Sequence, residues 1–169
     1  MKKAILLLAV CGLVALAFAP VAGAKRAGGV PFQGYLVGQV WFTYDDGSPS
    51  PVHLYSDSSG IGDVSHLGAT TMTSRHPTPT GDQIAGGIGT WVAANGDTVT
   101  FTYDGTAPFP ALGKPSVIVA KTAFVITGGT GRFAAASGSG TMTGYVHFPG
   151  ELGPGPWPVE WTWNGTIKY

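Results

Sequence analysis

Three features of the sequence predict an all-β chain folded as an antiparallel up-and-down barrel of about eight strands. The first is alternation with a period of two. Within residues 157–169, Trp157, Val159, Trp161, Trp163, Ile167 and Tyr169 share one face, while Glu160, Thr162, Asn164, Thr166 and Lys168 share the other. Successive side chains of a strand point to opposite faces, so such a segment buries one side and wets the other. The second is punctuation. The 27 Gly and 13 Pro are spread between runs rich in Val, Ile, Thr, Phe, Tyr and Trp, which is the pattern of strands and turns. The third is the lack of any amphipathic helical period after residue 24, the signal that a helical domain would carry.

At the amino terminus, Lys2 and Lys3 precede an apolar run over residues 4–19, closed by the small residues Ala22, Gly23 and Ala24. This is the three-part secretory signal. The run of about sixteen residues is shorter than the roughly 20 needed to span a bilayer. The chain is therefore expected to divide into a signal peptide, 1–24, and a single β-barrel domain, 25–169. The destination is secreted or periplasmic, with no membrane span after cleavage. Val10 stands where a lipoprotein box needs a small residue before Cys11. Cleavage removes that cysteine, so the domain must hold together without disulfides. A chain of about 150 residues buries roughly 70% of its unfolded surface, which suffices.

Strands are expected over 34–44, 62–73, 83–93, 97–103, 116–127, 134–148 and 157–169, with an eighth in 50–57 weakened by Pro49 and Pro51. Asn95-Gly96 is a strong hairpin signal. Asp45-Asp46-Gly47 and Asp104-Gly105 read as turn formers. Seven or eight long strands must resolve their edges, and closure does so. A two-sheet β-sandwich is the alternative, and long direct hairpins favour the barrel.

The segment ITGGTGRFAAASGSGTM, 126–142, admits two readings. Gly129, Gly131 and Ala134 fit the dinucleotide fingerprint. That function requires a helix immediately after the glycines, whose N-terminus meets the pyrophosphate. The residues after Phe133 are rich in Gly, Ser and Thr, a poor helix, and no Walker lysine is present. The segment is read as a turn between strands. Gly128–Gly131 supply backbone freedom, Phe133 tucks under the corner, and Arg132 is the candidate to hold carbonyls or a carboxylate. The same segment resembles the Gly-Gly-Thr-Gly-basic-Phe turn of the allene oxide cyclase and dirigent barrels, and VAANGDTVTFTYDG and WNGTIKY fall where those barrels also have strands. The resemblance implies an eight-stranded antiparallel barrel with an apolar cavity, often a homo-oligomeric trimer. In some members small apolar substrates are cyclised or coupled there. The turn is structural in those families, so it carries fold and not activity.

Charge narrows the function. Without Lys2 and Lys3, seven of the nine Lys and Arg remain against nine Asp and Glu. No basic stripe appears, so nucleic acid is excluded as a partner class. His53, His66, His76 and His147 show no metal spacing, and neither a metal nor a cofactor is assigned. His147 reads as a solvent-facing or rim residue. His66, in the strand-like stretch VSHLGATT, is either a hydrogen-bonded core histidine or a polar group lining a cavity, placed to orient a ligand or move a proton. The five Trp fill a barrel or offer a stacking surface for an apolar or sugar ligand. The candidate ligand-binding residues are His66, Trp91, Arg132 and Trp161, and catalytic residues are left unassigned. The leading function is non-catalytic binding of a small apolar ligand or a partner. The alternatives are a cyclase- or isomerase-like enzyme acting in the cavity, and a structural surface protein whose Pro-Gly loops make the contacts.

Overall fold

A computed structural model describes residues 28–45, 47 and 49–169; the expected leader, 1–24, and Asp46 lie outside the described residues. Eight strands succeed one another: β1 (Val30–Tyr44), β2 (Leu54–Val64), β3 (Gly68–Thr78), β4 (Gln83–Val92), β5 (Thr98–Thr106), β6 (Ser116–Gly129), β7 (Ser137–Phe148) and β8 (Trp157–Lys168). Each pairs antiparallel with the next, and β8 closes on β1 from Val30↔Ile167 to Val40↔Trp157. The fold is the closed up-and-down barrel and not the sandwich.

Alternation builds the wall. Trp157, Val159, Trp161, Trp163 and Ile167 of β8 point inward and are buried, as are Val99, Phe101 and Tyr103 of β5. The outward positions of β5 and β8 are mostly Thr, with charged residues among them. Elsewhere the outer wall also carries exposed apolar side chains, among them Val37, Ile61, Ile88, Val117 and Val125. Among the described residues no helix is long and apolar enough to cross a membrane.

Several sequence expectations need correction. Residues 62–73 are not one strand: they hold the end of β2, a turn and the start of β3. His66 sits in that turn with φ at 71°, not in a strand. The strand expected over 50–57 is β2, and it begins only at Leu54 after the prolines. Seven of the eleven residues of LYSDSSGIGDV are Ser, Asp or Gly, but β1 and β3 pair with it along its length, and tertiary pairing overrides propensity. Asp104 and Gly105 lie inside β5 and form no turn. A Cβ on Gly105 would run into the Lys121 carbonyl of β6, so this glycine permits close strand approach. Finally, β7 starts at Ser137 because a single 3-10 turn, Gly131–Phe133, completes the reversal. Tyr169 also leaves the inward face and is exposed.

The two ends of the barrel differ. At the short-turn end, where the β2–β3, β4–β5 and β6–β7 connections lie, aromatic rings fill the interior. Trp91 stacks on Phe101 at 3.8 Å and meets Phe32 and Trp163 edge-on at 5.2 and 4.6 Å. Fully buried Phe133 lies in the β6–β7 reversal at this end. Among the described residues the indole N–H groups of Trp91 and Trp163 have no hydrogen-bond partner. The opposite, long-loop end carries the connections over 45–53, 79–82, 107–115 and 149–156.

Candidate functional site

The long-loop half of the barrel holds a cavity of about 70 Å³. Its two walls differ in chemistry. One wall is polar: Ser56 and Ser58 of β2, Ser74, His76 and Thr78 of β3, and Tyr103 of β5. The facing wall is apolar, formed by Ile118 and Ala120 of β6, Val146 of β7 and Val159 of β8. Trp161 makes the floor. Its indole reaches across to β2, where a Cβ on Gly60 would stand 2.7 Å from the ring, so only glycine admits it. Phe42, Pro51 and Phe109 border the mouth.

His76 and Tyr103 are the chemical centre. The His76 Nδ1 and the Tyr103 hydroxyl are 2.9 Å apart. A phenol is the better donor and an imidazole nitrogen the better acceptor, so Tyr103 donates to Nδ1 and leaves the proton on Nε2. That Nε2–H has no protein partner among the described residues. Burial lowers the imidazole to about 4. Burial also pushes Tyr103 up to about 12, with the Ser74 hydroxyl pulling the other way and the Asp57 carboxylate adding to the rise. Both groups are therefore neutral at physiological pH, because each shift disfavours its charged form. The cavity presents one N–H donor and several hydroxyls, and no charge.

The wall is split beside this pair. The β3–β4 ladder runs only from Thr71↔Val92 to Arg75↔Ile88. Beyond it, His76 to Thr78 and the start of β4 are unpaired with each other. β4 bulges between Ile84 and Gly87, and Asp104 Oδ1 accepts the Gly86 N–H at 2.6 Å. Such bulges re-aim side chains and end pairing.

Of the four residues predicted from sequence, Trp161 floors the cavity and Trp91 lies in the aromatic cluster below it. His66 and Arg132 come together, but at the opposite end. There Arg132 donates to the His66 carbonyl and lies 4.7 Å over the Phe133 ring, while His66 Nε2–H donates to the Pro31 carbonyl at 2.8 Å. This pair ties the β2–β3 and β6–β7 turns to the start of β1. His147 is exposed on the outer wall and donates to Glu160 at 3.4 Å. Sequence reasoning missed His76, Tyr103 and the three serines. The available signal was parity: Met72, Ser74, His76 and Thr78 alternate on one face of β3, but the expected strand stopped at residue 73. Among the described residues no three His, Cys, Asp or Glu side chains converge as a metal site. No known protein family matches the chain, and no curated protein or solved structure matches it either.

Proposed function

We propose that the long-loop half of the barrel binds one small neutral molecule with an apolar body and a single oxygen acceptor, such as a ketone or alcohol. The observation that carries this is the uncharged His76 Nε2–H set opposite an aliphatic wall in the barrel cavity. An anion would find no buried cation there, and burying an unpaired carboxylate is strongly unfavourable. Size limits the ligand further. The cavity is about half the roughly 150 Å³ of an apolar cavity that holds benzene. A larger ligand needs Phe109 to lift. Phe109 rides on the 107–115 connection and rests on Phe148 and Trp157 at 5.3 and 6.4 Å. The reading takes the domain as secreted or periplasmic, on the support of the 1–24 leader. It takes the barrel as kin to the allene oxide cyclase and dirigent barrels, on the support of a Gly128–Phe133 turn between antiparallel strands.

The test is a binding series monitored by NMR at pH 7: 2-butanone, cyclopentanone, cyclopentanol, cyclopentane and cyclopentanecarboxylate. Ketone and alcohol should shift His76 and Val146 signals, with the carboxylate roughly tenfold weaker or worse. His76→Phe should erase the preference over cyclopentane. Equal or tighter carboxylate binding, or no binding even with Phe109→Ala, refutes the reading.

The same pair favours a second reading, an isomerase-like enzyme. A ketone held at Nε2–H would have its carbonyl polarised, which acidifies the adjacent C–H bonds. Exchange of those hydrogens in D₂O, monitored by NMR, separates the two readings: exchange lost in His76→Phe supports an enzyme, and no exchange above the protein-free rate leaves binding alone.

A further inference from the structure

Four of the five tryptophans are buried, and Trp41 is the exception at 38% exposed on the outward face of β1. It starts a row that crosses the outer wall: Trp41 pairs with Asp57, Asp57 with Arg75, Arg75 with Ile88 and Ile88 with Thr102. Neighbouring strands lie about 4.8 Å apart, so the row is roughly 19 Å long. A groove of about 570 Å³ runs along it, bordered by Thr73, Thr90 and Thr100. These residues have the outward parity of the strands whose inward residues line the cavity. The groove lies on the outer side of the wall whose inward residues line the cavity, and Ser58 and Ser74 border both.

We propose that this groove binds an uncharged saccharide chain. A sugar ring presents an apolar C–H face and a rim of hydroxyls that donate and accept. The exposed indole suits the first, since its body is apolar. Threonine hydroxyls suit the second, because each donates and accepts. The charges in the groove are Asp57 and Arg75, paired at 3.4 Å, and Arg75 is further held 4.6 Å over the Tyr55 ring. They cancel, and each still has hydrogen-bonding capacity toward a hydroxyl. A polyanion would meet the Asp57 carboxylate. An extended peptide would need an open strand edge, and each strand is paired with its neighbour along the row, the β3–β4 ladder ending at Arg75↔Ile88 itself. The length suits a short oligosaccharide better than a monosaccharide.

The experiment titrates the folded domain with cellohexaose, maltohexaose, xylohexaose and mannohexaose, read by backbone NMR and tryptophan fluorescence, with dextran sulfate as the charged comparison. At least one neutral hexaose should bind at millimolar affinity or better, with shifts confined to residues around Thr73, Arg75, Thr90 and Thr102. Trp41→Ala should weaken it roughly tenfold or more, Trp41→Tyr should keep most of the affinity, and Thr73→Val with Thr90→Val should weaken it while leaving the indole in place. The proposal fails if none of the four binds, if Trp41→Ala leaves affinity unchanged, or if dextran sulfate binds more tightly than every neutral chain.

Discussion

The two halves of the barrel obey one rule of alternation and reach opposite results. In the short-turn half the inward positions carry Phe32, Trp91, Phe101, Phe124 and Trp163, and the interior is solid. In the long-loop half, β2 and β3 turn Ser56, Ser58, Ser74 and His76 inward, and a cavity is left. Closure fixes the circumference; the side chains on two strands decide whether the space is filled. Rings in edge and stacked contact fill the first half. In the second half the hydroxyls are too small to reach the facing wall.

Substitutions can break this contrast. The largest effect should come from Trp91→Ala, which empties the centre of the packed half. About 3–5 kcal/mol of stability should be lost, read as a lower denaturation midpoint, whereas truncating Ser56, Ser58 or Ser74 on the polar wall of the hollow half should cost far less. Next is pH. His76 titrates at about 4 in the fold and near 6.5 when unfolded. In that window the unfolded chain binds more protons, so the stability is present above about pH 6.5 and is lost as pH falls to about 4, by roughly 3 kcal/mol. Denaturant titrations at pH 7 and pH 4.5 should show the drop, and His76→Phe should remove most of it.

A pair of glycines on β4 sharpens the contrast. A Cβ on Gly89 would strike the Phe101 ring, which is pinned by Trp91. A Cβ on Gly87 would stand 2.6 Å from the Tyr103 ring, which borders the cavity. Gly89→Ala should cost about 2–3 kcal/mol as overpacking. Gly87→Ala should cost less, because Tyr103 has space to move into, but it should weaken ketone binding by displacing the hydroxyl from His76. Phe109→Ala should cost only about 1 kcal/mol, because the ring is half-buried, and should admit larger ketones than the wild type binds. Glu160→Gln should do least. Its carboxyl is held low by the Tyr35 hydroxyl and then by His147, but the group is exposed, and the pH 7 melting midpoint should stay unchanged.

The packed half was legible in the sequence and the hollow half was not, for one physical reason. Where inward positions are large and apolar, as in residues 97–103 and 157–168, burial writes a visible alternation. Where they are Ser, Gly and His, as in β2 and the end of β3, the residues that make the polar wall also erase the strand pattern. The barrel and the glycine reversal could therefore be read directly, with Phe133 buried under its corner. The β2–β3 turn could not, and the His76–Tyr103 pair was lost with it. Arg132 and His66 stand out locally in the sequence, and in the fold they fasten the closed end.

The most direct test of a neutral, poorly solvated cavity is an NMR titration of the His76 imidazole nitrogens in the free protein. The prediction is the Nε2–H tautomer held from neutral pH to below about pH 5, with a midpoint at about 4. A midpoint near the ordinary 6.5, or a proton on Nδ1, would contradict it, placing the imidazole in water or turning the Tyr103 hydrogen bond around.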